Sequence, residues 1–135
     1  MDMKDNYKGL YRFIEYLNRA KIFNTLKSNT KGDSIFTKPD KIYLNNTNLH
    51  YAYCQSSNTG TIREVFIASM LQDRHTITMA KKGDFLVNER YTFEVGGKNK
   101  SYKQIKDIKE SFIVADDIEV GSGNKIPLWL FGFLY

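Results

Sequence analysis

The sequence predicts an α/β fold, and three observations carry that expectation. Apolar residues recur with helical spacing in two stretches, at Leu10, Phe13, Ile14 and Leu17 and again at Ile62, Val65, Phe66, Ser69 and Met70. Between the second helix and the C-terminus lie short β-rich runs, two of them joined by the turn-prone trio Asn88-Glu89-Arg90. The composition is that of a globular chain: 135 residues, 41% hydrophobic and 26% charged, enough for one domain or two small ones.

Taken in order, the first element is an amphipathic helix over Asn6 to Ala20, with Arg12, Glu15, Asn18 and Arg19 on its polar side. A strand over Ile22 to Leu26, a polar loop over Ser28 to Ser34 and a returning strand over Lys41 to Leu44 follow. Helix, strand, loop and strand is the order of the last helix and wing of a winged helix, here without the helices that should precede it. A short helix over Asn45 to Cys54, capped by Asn46 or Thr47, closes this part. The small polar stretch from Gln55 to Gly60 marks an expected boundary, giving a partial winged helix over 1–55 and a second unit over 56–135.

The second unit opens with a helix over Thr61 to Asp73. A second row on it, Ile67, Ala68 and Leu71, is also apolar and is headed by Glu64. A carboxylate on such a row needs a partner or a ligand, unless it only profits from the helix dipole. Strands are expected over His75 to Met79, Asp84 to Val87 and Tyr91 to Val95, then a helix over Ser101 to Lys109 with Ser101 as its cap, then a strand over Ser111 to Ala115. With a three-residue loop, the hairpin pairs Val87 with Tyr91, Leu86 with Thr92, Phe85 with Phe93 and Asp84 with Glu94. Side chains alternate faces along a strand, so Asp84 and Glu94 would lie opposite one another about 5 Å apart. Like charges so placed repel, and a divalent cation between them reverses the sign; the alternative is a pair of ordinary surface acids.

Composition bounds the function. The net charge of +5 and the pI near 9.2 suit an anionic partner without requiring one. The lone Cys54 excludes an internal disulfide and a cysteine zinc cluster, and fits a reducing cytoplasm. The N-terminal MDMKDNYKGLYRF has no basic segment followed by an apolar stretch, so no secretion signal is expected. The apolar ending Ile126 to Tyr135 falls short of the ~20 residues a helix needs to span a bilayer and is expected to be the last core element.

The order helix, three strands, helix, strand, with Glu64, Asp84 and Glu94 in it, resembles the restriction-endonuclease-like core of the PD-(D/E)XK superfamily. In that family an acid on the first helix, an aspartate on the second strand and an acid-x-Lys on the third build a magnesium site that cuts phosphodiesters. The resemblance implies Glu64, Asp84 and Glu94 as metal ligands, with Glu94 also catalytic, and Gln104 as the glutamine found beside such sites. Magnesium takes carboxylates, waters and phosphate oxygens in an octahedral shell, which is why the chemistry calls for such a set. The chain departs from the pattern at Gly96, where the lysine two residues after Glu94 should stand. Lys98, beyond Gly96-Gly97, is the candidate displaced lysine; otherwise it is a solvated base after a turn and catalysis is impaired.

A second resemblance covers nearly the whole chain. KPDKIYLNNTNLHYAY, GTIREVFIASML, KGDFLVNERYTFEVGGKNK and GNKIPLWLFGFLY, in that order, are similar to the C-terminal half of a prokaryotic AAA-type ATPase family. Its members carry an ATPase module, a winged helix and a nuclease-like domain of uncharacterised function. That implies an N-terminal ATPase module as partner in a full-length protein, with the present chain as a fragment of it. No ATP site is expected here. The one Gly-Lys pair, Gly97-Lys98, precedes Asn99, and Thr92 stands where a phosphate loop has its first glycine.

Lys98, Lys100, Lys103, Lys106 and Lys109 make a basic run in which Lys100, Lys103 and Lys106 are the candidate DNA contacts. Interleaved Asp107 and Glu110 also fit a plain solvated face. Neither His50 nor His75 has a second ligand at metal spacing, and most aromatic residues fall on core positions. Three functions follow as expectations: a nuclease-like half of an ATPase, impaired in catalysis and binding nucleic acid or a partner; a magnesium-dependent DNA nuclease using Lys98; or a protein-interaction module without metal. No membrane partner is expected.

Overall fold

The computed structural model describes residues 3–28 and 37–134. Most of the polar loop expected over Ser28 to Ser34 lies outside the described residues, as does Tyr135. The chain is a mixed α/β structure. Helix α1 (Met3–Arg19) leads into a hairpin of β1 (Phe23–Leu26) and β2 (Lys41–Leu44), followed by α2 (Thr47–Tyr53) and α3 (Thr59–Leu71). Five strands then form one sheet in sequence order: β3 (Ile77–Met79), β4 (Phe85–Val87), β5 (Tyr91–Gly96), β6 (Ser111–Ala115) and β7 (Lys125–Pro127). The β3–β4 and β4–β5 pairs are antiparallel; β5–β6 and β6–β7 are parallel. No described helix is long and apolar enough to cross a membrane.

Local chemistry sets the helix starts. Asn46 caps α2 by accepting the Leu49 N–H at 2.9 Å. Asn58 caps α3 by accepting the Gly60 N–H at 2.8 Å, so α3 begins inside the stretch read as a linker. The expected hairpin register is present at Phe85↔Phe93, Leu86↔Thr92 and Val87↔Tyr91. Asn88 and Glu89 both sit at positive φ and the Arg90 N–H donates to the Val87 carbonyl, a turn whose twist suits a hairpin.

Two expectations need correction. The ladder stops at Phe85↔Phe93, so Asp84 and Glu94 are not a cross-strand pair. Asp84 follows Gly83, which is at φ +92°, and its carboxylate Oδ2 takes the Val95 N–H at 2.8 Å in place of a backbone carbonyl. The helix expected over Ser101 to Lys109 is one 3₁₀ turn, Tyr102–Gln104, and Ser101 makes no side-chain cap. The reason lies in Ser111, which is fully buried. Its one hydroxyl proton is shared between the carbonyls of Ile105 (3.0 Å) and Ile108 (2.7 Å). The Ile105 carbonyl also takes the Ile108 N–H in a three-residue turn, which holds the segment in successive turns and not in an α-helical ladder.

One buried cluster joins Val65, Ile67, Ala68 and Leu71 of α3 with Phe85, Val87, Phe93 and Val95 of the sheet, and with Phe131 of a second 3₁₀ segment (Leu128–Phe133). Leu26 and Tyr43 of the hairpin belong to the same cluster. Ser28 bridges Met79, and the Met79 N–H donates to the Lys27 carbonyl, attaching the hairpin to the β3 edge. On the opposite face Ile113 and Ala115 pack with Ile105. The C-terminal run is core only in part, since Phe131 is buried while Trp129, Leu130 and Phe133 are exposed.

Candidate functional site

Because β4 starts at Phe85, residues Glu94 to Gly96 have β6 on one side and no ladder partner on the other. Side chains from both faces of the sheet meet at that gap. Glu94 pairs in register with Ile113 and so shares the face of the 3₁₀ turn, while Glu64 stands on α3 across the sheet. Asp84 lies between them, at the mouth of β4.

Glu94 is 2% exposed, a burial that a carboxylate tolerates only with partners. Lys100 Nζ lies 2.5 Å from its Oε1. The Gln104 amide, oriented to satisfy its hydrogen bonding, donates to Oε1 at 2.8 Å and to Oε2 at 3.2 Å. The lysine reaches Glu94 over Gly96. A Cβ on that glycine would fall 2.7–2.9 Å from Cδ, Cγ and Cβ of Lys100, so the lysine stem occupies the space where a side chain at 96 would begin. The hydrogen bond to Glu94 raises the Lys100 pKa above its ordinary value, against a smaller opposing effect of burial.

Glu64 accepts from Lys41 Nζ at 3.0 Å and from the Tyr43 hydroxyl. Both donors come from β2, where positions two apart share a face. Burial first, and then the bond to Glu64, pushes the Tyr43 hydroxyl to bind its proton more tightly. Lys41 also stands 4.0 Å from Asp84 Oδ1, so its ammonium bridges the two acids. Asp84 holds its proton above the ordinary aspartate value, chiefly through burial and then through the fields of Glu94 and Glu64; Val95 N–H and Lys41 oppose this. Three acids therefore act on one another within one neighbourhood, with two lysines set among them.

The structure thus brings together Glu64, Asp84, Glu94 and Gln104 from the set the sequence singled out. It places Lys98 on the surface, where its carbonyl accepts from Lys125 Nζ at 2.8 Å, and puts Lys100 on Glu94 instead. Lys103 and Lys106 are exposed. Sequence reasoning missed Lys41, Tyr43 and the role of Lys100. For Lys100 a signal existed: the glycine at the second residue after Glu94, followed by a lysine close enough for its stem to return. For Lys41 and Tyr43 the alternation was visible but their partner was not. His50 Nδ1 lies 3.9 Å from Cys54 Sγ, and His75 Nδ1 3.0 Å from the Asn88 amide, both apart from this site.

The acids suit a hard divalent cation in donor chemistry, and a cation would relieve the repulsion that raises Asp84. Their spacing is set for lysines: among the described residues no group of three or more His, Cys, Asp or Glu is arranged to hold a metal ion. A scan of protein-family models, a search of curated proteins and a search of solved structures each returned no match to this chain.

Proposed function

We propose that this chain carries a magnesium-dependent nuclease site of the PD-(D/E)XK kind acting on DNA, with Lys100 taking the part of the lysine that Gly96 lacks. The observation that carries the reading is the path of Lys100: its stem lies where a side chain at 96 would start, and its ammonium rests on Glu94. Glu64, Asp84 and Glu94 would hold the ion only after Lys41 gives up Glu64 and Asp84 and the acids close together, since as they stand no metal-holding group is formed among the described residues. Such an ion would polarise the phosphoryl group and lower the pKa of a bound water. Lys100 keeps its proton at neutral pH, since its pKa is raised. It therefore serves as a fixed positive charge for the oxygen on which negative charge develops, and not as a base. Gln104 holds the Glu94 carboxylate in orientation. The sequence blocks similar to the AAA-type ATPase family support an N-terminal ATPase module as the partner in a full-length protein.

One observation favours a second reading, DNA binding without cleavage: Lys41 already bridges Glu64 and Asp84. Cleavage of duplex DNA in magnesium or manganese separates the two. The nuclease reading expects nicking by the wild type that falls about 100-fold or more in Lys100→Ala, the loss typical of removing one charge-stabilising donor. Activity should return when Gly96→Lys is added to Lys100→Gly, which removes the Cβ of residue 100 (2.9 Å from a Cβ at 96) along with the rest of the stem and so leaves room for a lysine at 96. Binding with no nicking in either metal supports the second reading. Neither binding nor nicking removes both.

A further inference from the structure

We infer that a lysine-lined cleft beside the carboxylate site binds the phosphate backbone of DNA, an inference that rests on the nuclease reading for its purpose but not for its test. The cleft, of about 470 Å³, is lined by Lys81, Lys82, Gly83, Lys103 and Gln104. Its size falls within the ~300–1,000 Å³ usual for ligand clefts. It adjoins the carboxylate site, because two of its lining residues lead there: Gln104 bonds Glu94 and Gly83 immediately precedes Asp84.

The lysines give this cleft its character. Five cations outside it are matched one to one with acids: Arg19 with Glu15, Lys21 with Asp73, Arg63 with Asp116, Arg90 with Glu110, Lys100 with Glu94. Among the described residues no carboxylate pairs with Lys81, Lys82 or Lys103. Three ammonium groups brought to one cleft from two separate loops repel one another, and folding alone gains nothing from that arrangement. A polyanion removes the repulsion. Gly83 holds the first loop in place, since at φ +92° it packs where a Cβ would meet Thr92 Cγ2 at 3.0 Å and the Phe93 carbonyl at 3.2 Å. Lys81 and Lys82 are thereby held against the 3₁₀ turn that presents Lys103.

The geometry also divides the basic run seen in the sequence. Lys103 faces the cleft, Lys100 is committed to Glu94, and Lys106 does not line the cleft. Positive charge leading to an acidic, cation-seeking pocket is the arrangement a phosphodiester needs. Flanking phosphates would sit on the ammonium groups and bring the reacting one beside Glu94 and Asp84.

The test uses fluorescence anisotropy of a labelled DNA duplex in EDTA, between 50 and 200 mM salt. Each phosphate neutralised contributes about 0.9 to the slope of log affinity against log salt. The triple variant Lys81→Ala, Lys82→Ala, Lys103→Ala should lower that slope by about 2–3. Lys106→Ala with Lys109→Ala should leave it near the wild-type value. All three lysines of the cleft are exposed and repel one another, so the melting temperature of the triple variant should stay level or rise slightly and not fall. A wild-type slope in the triple variant overturns the proposal. So does the absence of duplex binding by the wild type, or tighter binding of RNA than DNA. A lowered slope in a protein that never nicks DNA with magnesium or manganese keeps the cleft and removes the nuclease reading alone.

Discussion

Asp84 is the residue at which the folded state conflicts with its own charge. Its folded pKa lies above the ordinary 3.8, mainly because it is buried and then because Glu94 and Glu64 are near. The native state therefore binds this proton more tightly than the unfolded chain. The stability that this gives is fully present below pH 3.8 and is lost as the pH rises through the folded value. At pH 7 the ionised group is a cost. Asp84→Asn keeps an oxygen for the Val95 N–H and removes the charge, so it should melt at a higher temperature than wild type at pH 7. The gap should narrow on acidification and close below pH 3.8, the ordinary value. Magnesium should raise the melting temperature of the wild type and barely move that of Asp84→Asn. A variant that melts lower than wild type at pH 7 would show that the Val95 contact outweighs the repulsion, and the argument for a cation-seeking site would lose its electrostatic basis.

At the scale of elements, β2 matters through what it delivers. Lys41 and Tyr43 both reach Glu64, so the hairpin sets the charge of a site whose acids lie on α3, on β5 and at the mouth of β4. Lys41→Met should let a divalent ion in more easily. The expected gain is about five-fold in magnesium affinity by calorimetry, the equivalent of ~1 kcal/mol, the upper end for a partly exposed ion pair. Weaker binding would mean that Lys41 organises the acids instead of competing for them. Tyr43→Phe should cost about 1.5–3 kcal/mol in urea unfolding, the range for a hydrogen bond to a charged group. How far such elements were legible follows from how local their causes are. The β4–β5 register could be read because alternation and a three-residue turn fix it within a dozen residues. The helices could be read from period and caps. The turn at Tyr102–Gln104 could not, because the Ser111 hydroxyl that breaks the helix comes from the following strand. Asp84 left the ladder through Gly83, a single backbone angle invisible to pattern. Lys41 escaped notice because its partner is 23 residues away, and Lys100 because its route depends on an empty Cβ position.

For the whole molecule, the question is whether the hairpin and the larger sheet melt as one. Leu26 is 1% exposed and lies in the same cluster as Val65, Phe85 and Phe93, and the Lys27–Met79 bond ties the hairpin to the sheet edge. The sequence placed a boundary after residue 55, yet the core runs across it. Leu26→Ala should cost about 2–5 kcal/mol, the range for a buried leucine, out of a total near 5–15 for a domain. Trp129, the one tryptophan, sits in the C-terminal 3₁₀ segment and reports on the far end of that core. Its fluorescence and the far-UV circular dichroism should lose signal together, and Leu26→Ala should shift both midpoints equally. Two separated transitions, with only the earlier one moved, would make the hairpin an independent unit. The distinction bears on chemistry as well as on stability. If unfolding is shared, Lys41 and Tyr43 leave Glu64 only when the whole site is lost, and the balance of acids and ammonium groups is a fixed property of the native state. If the hairpin opens alone, Glu64 and Asp84 lose their cation while Glu94, Lys100 and Gln104 stay in place, and magnesium affinity should rise under conditions that melt the hairpin first.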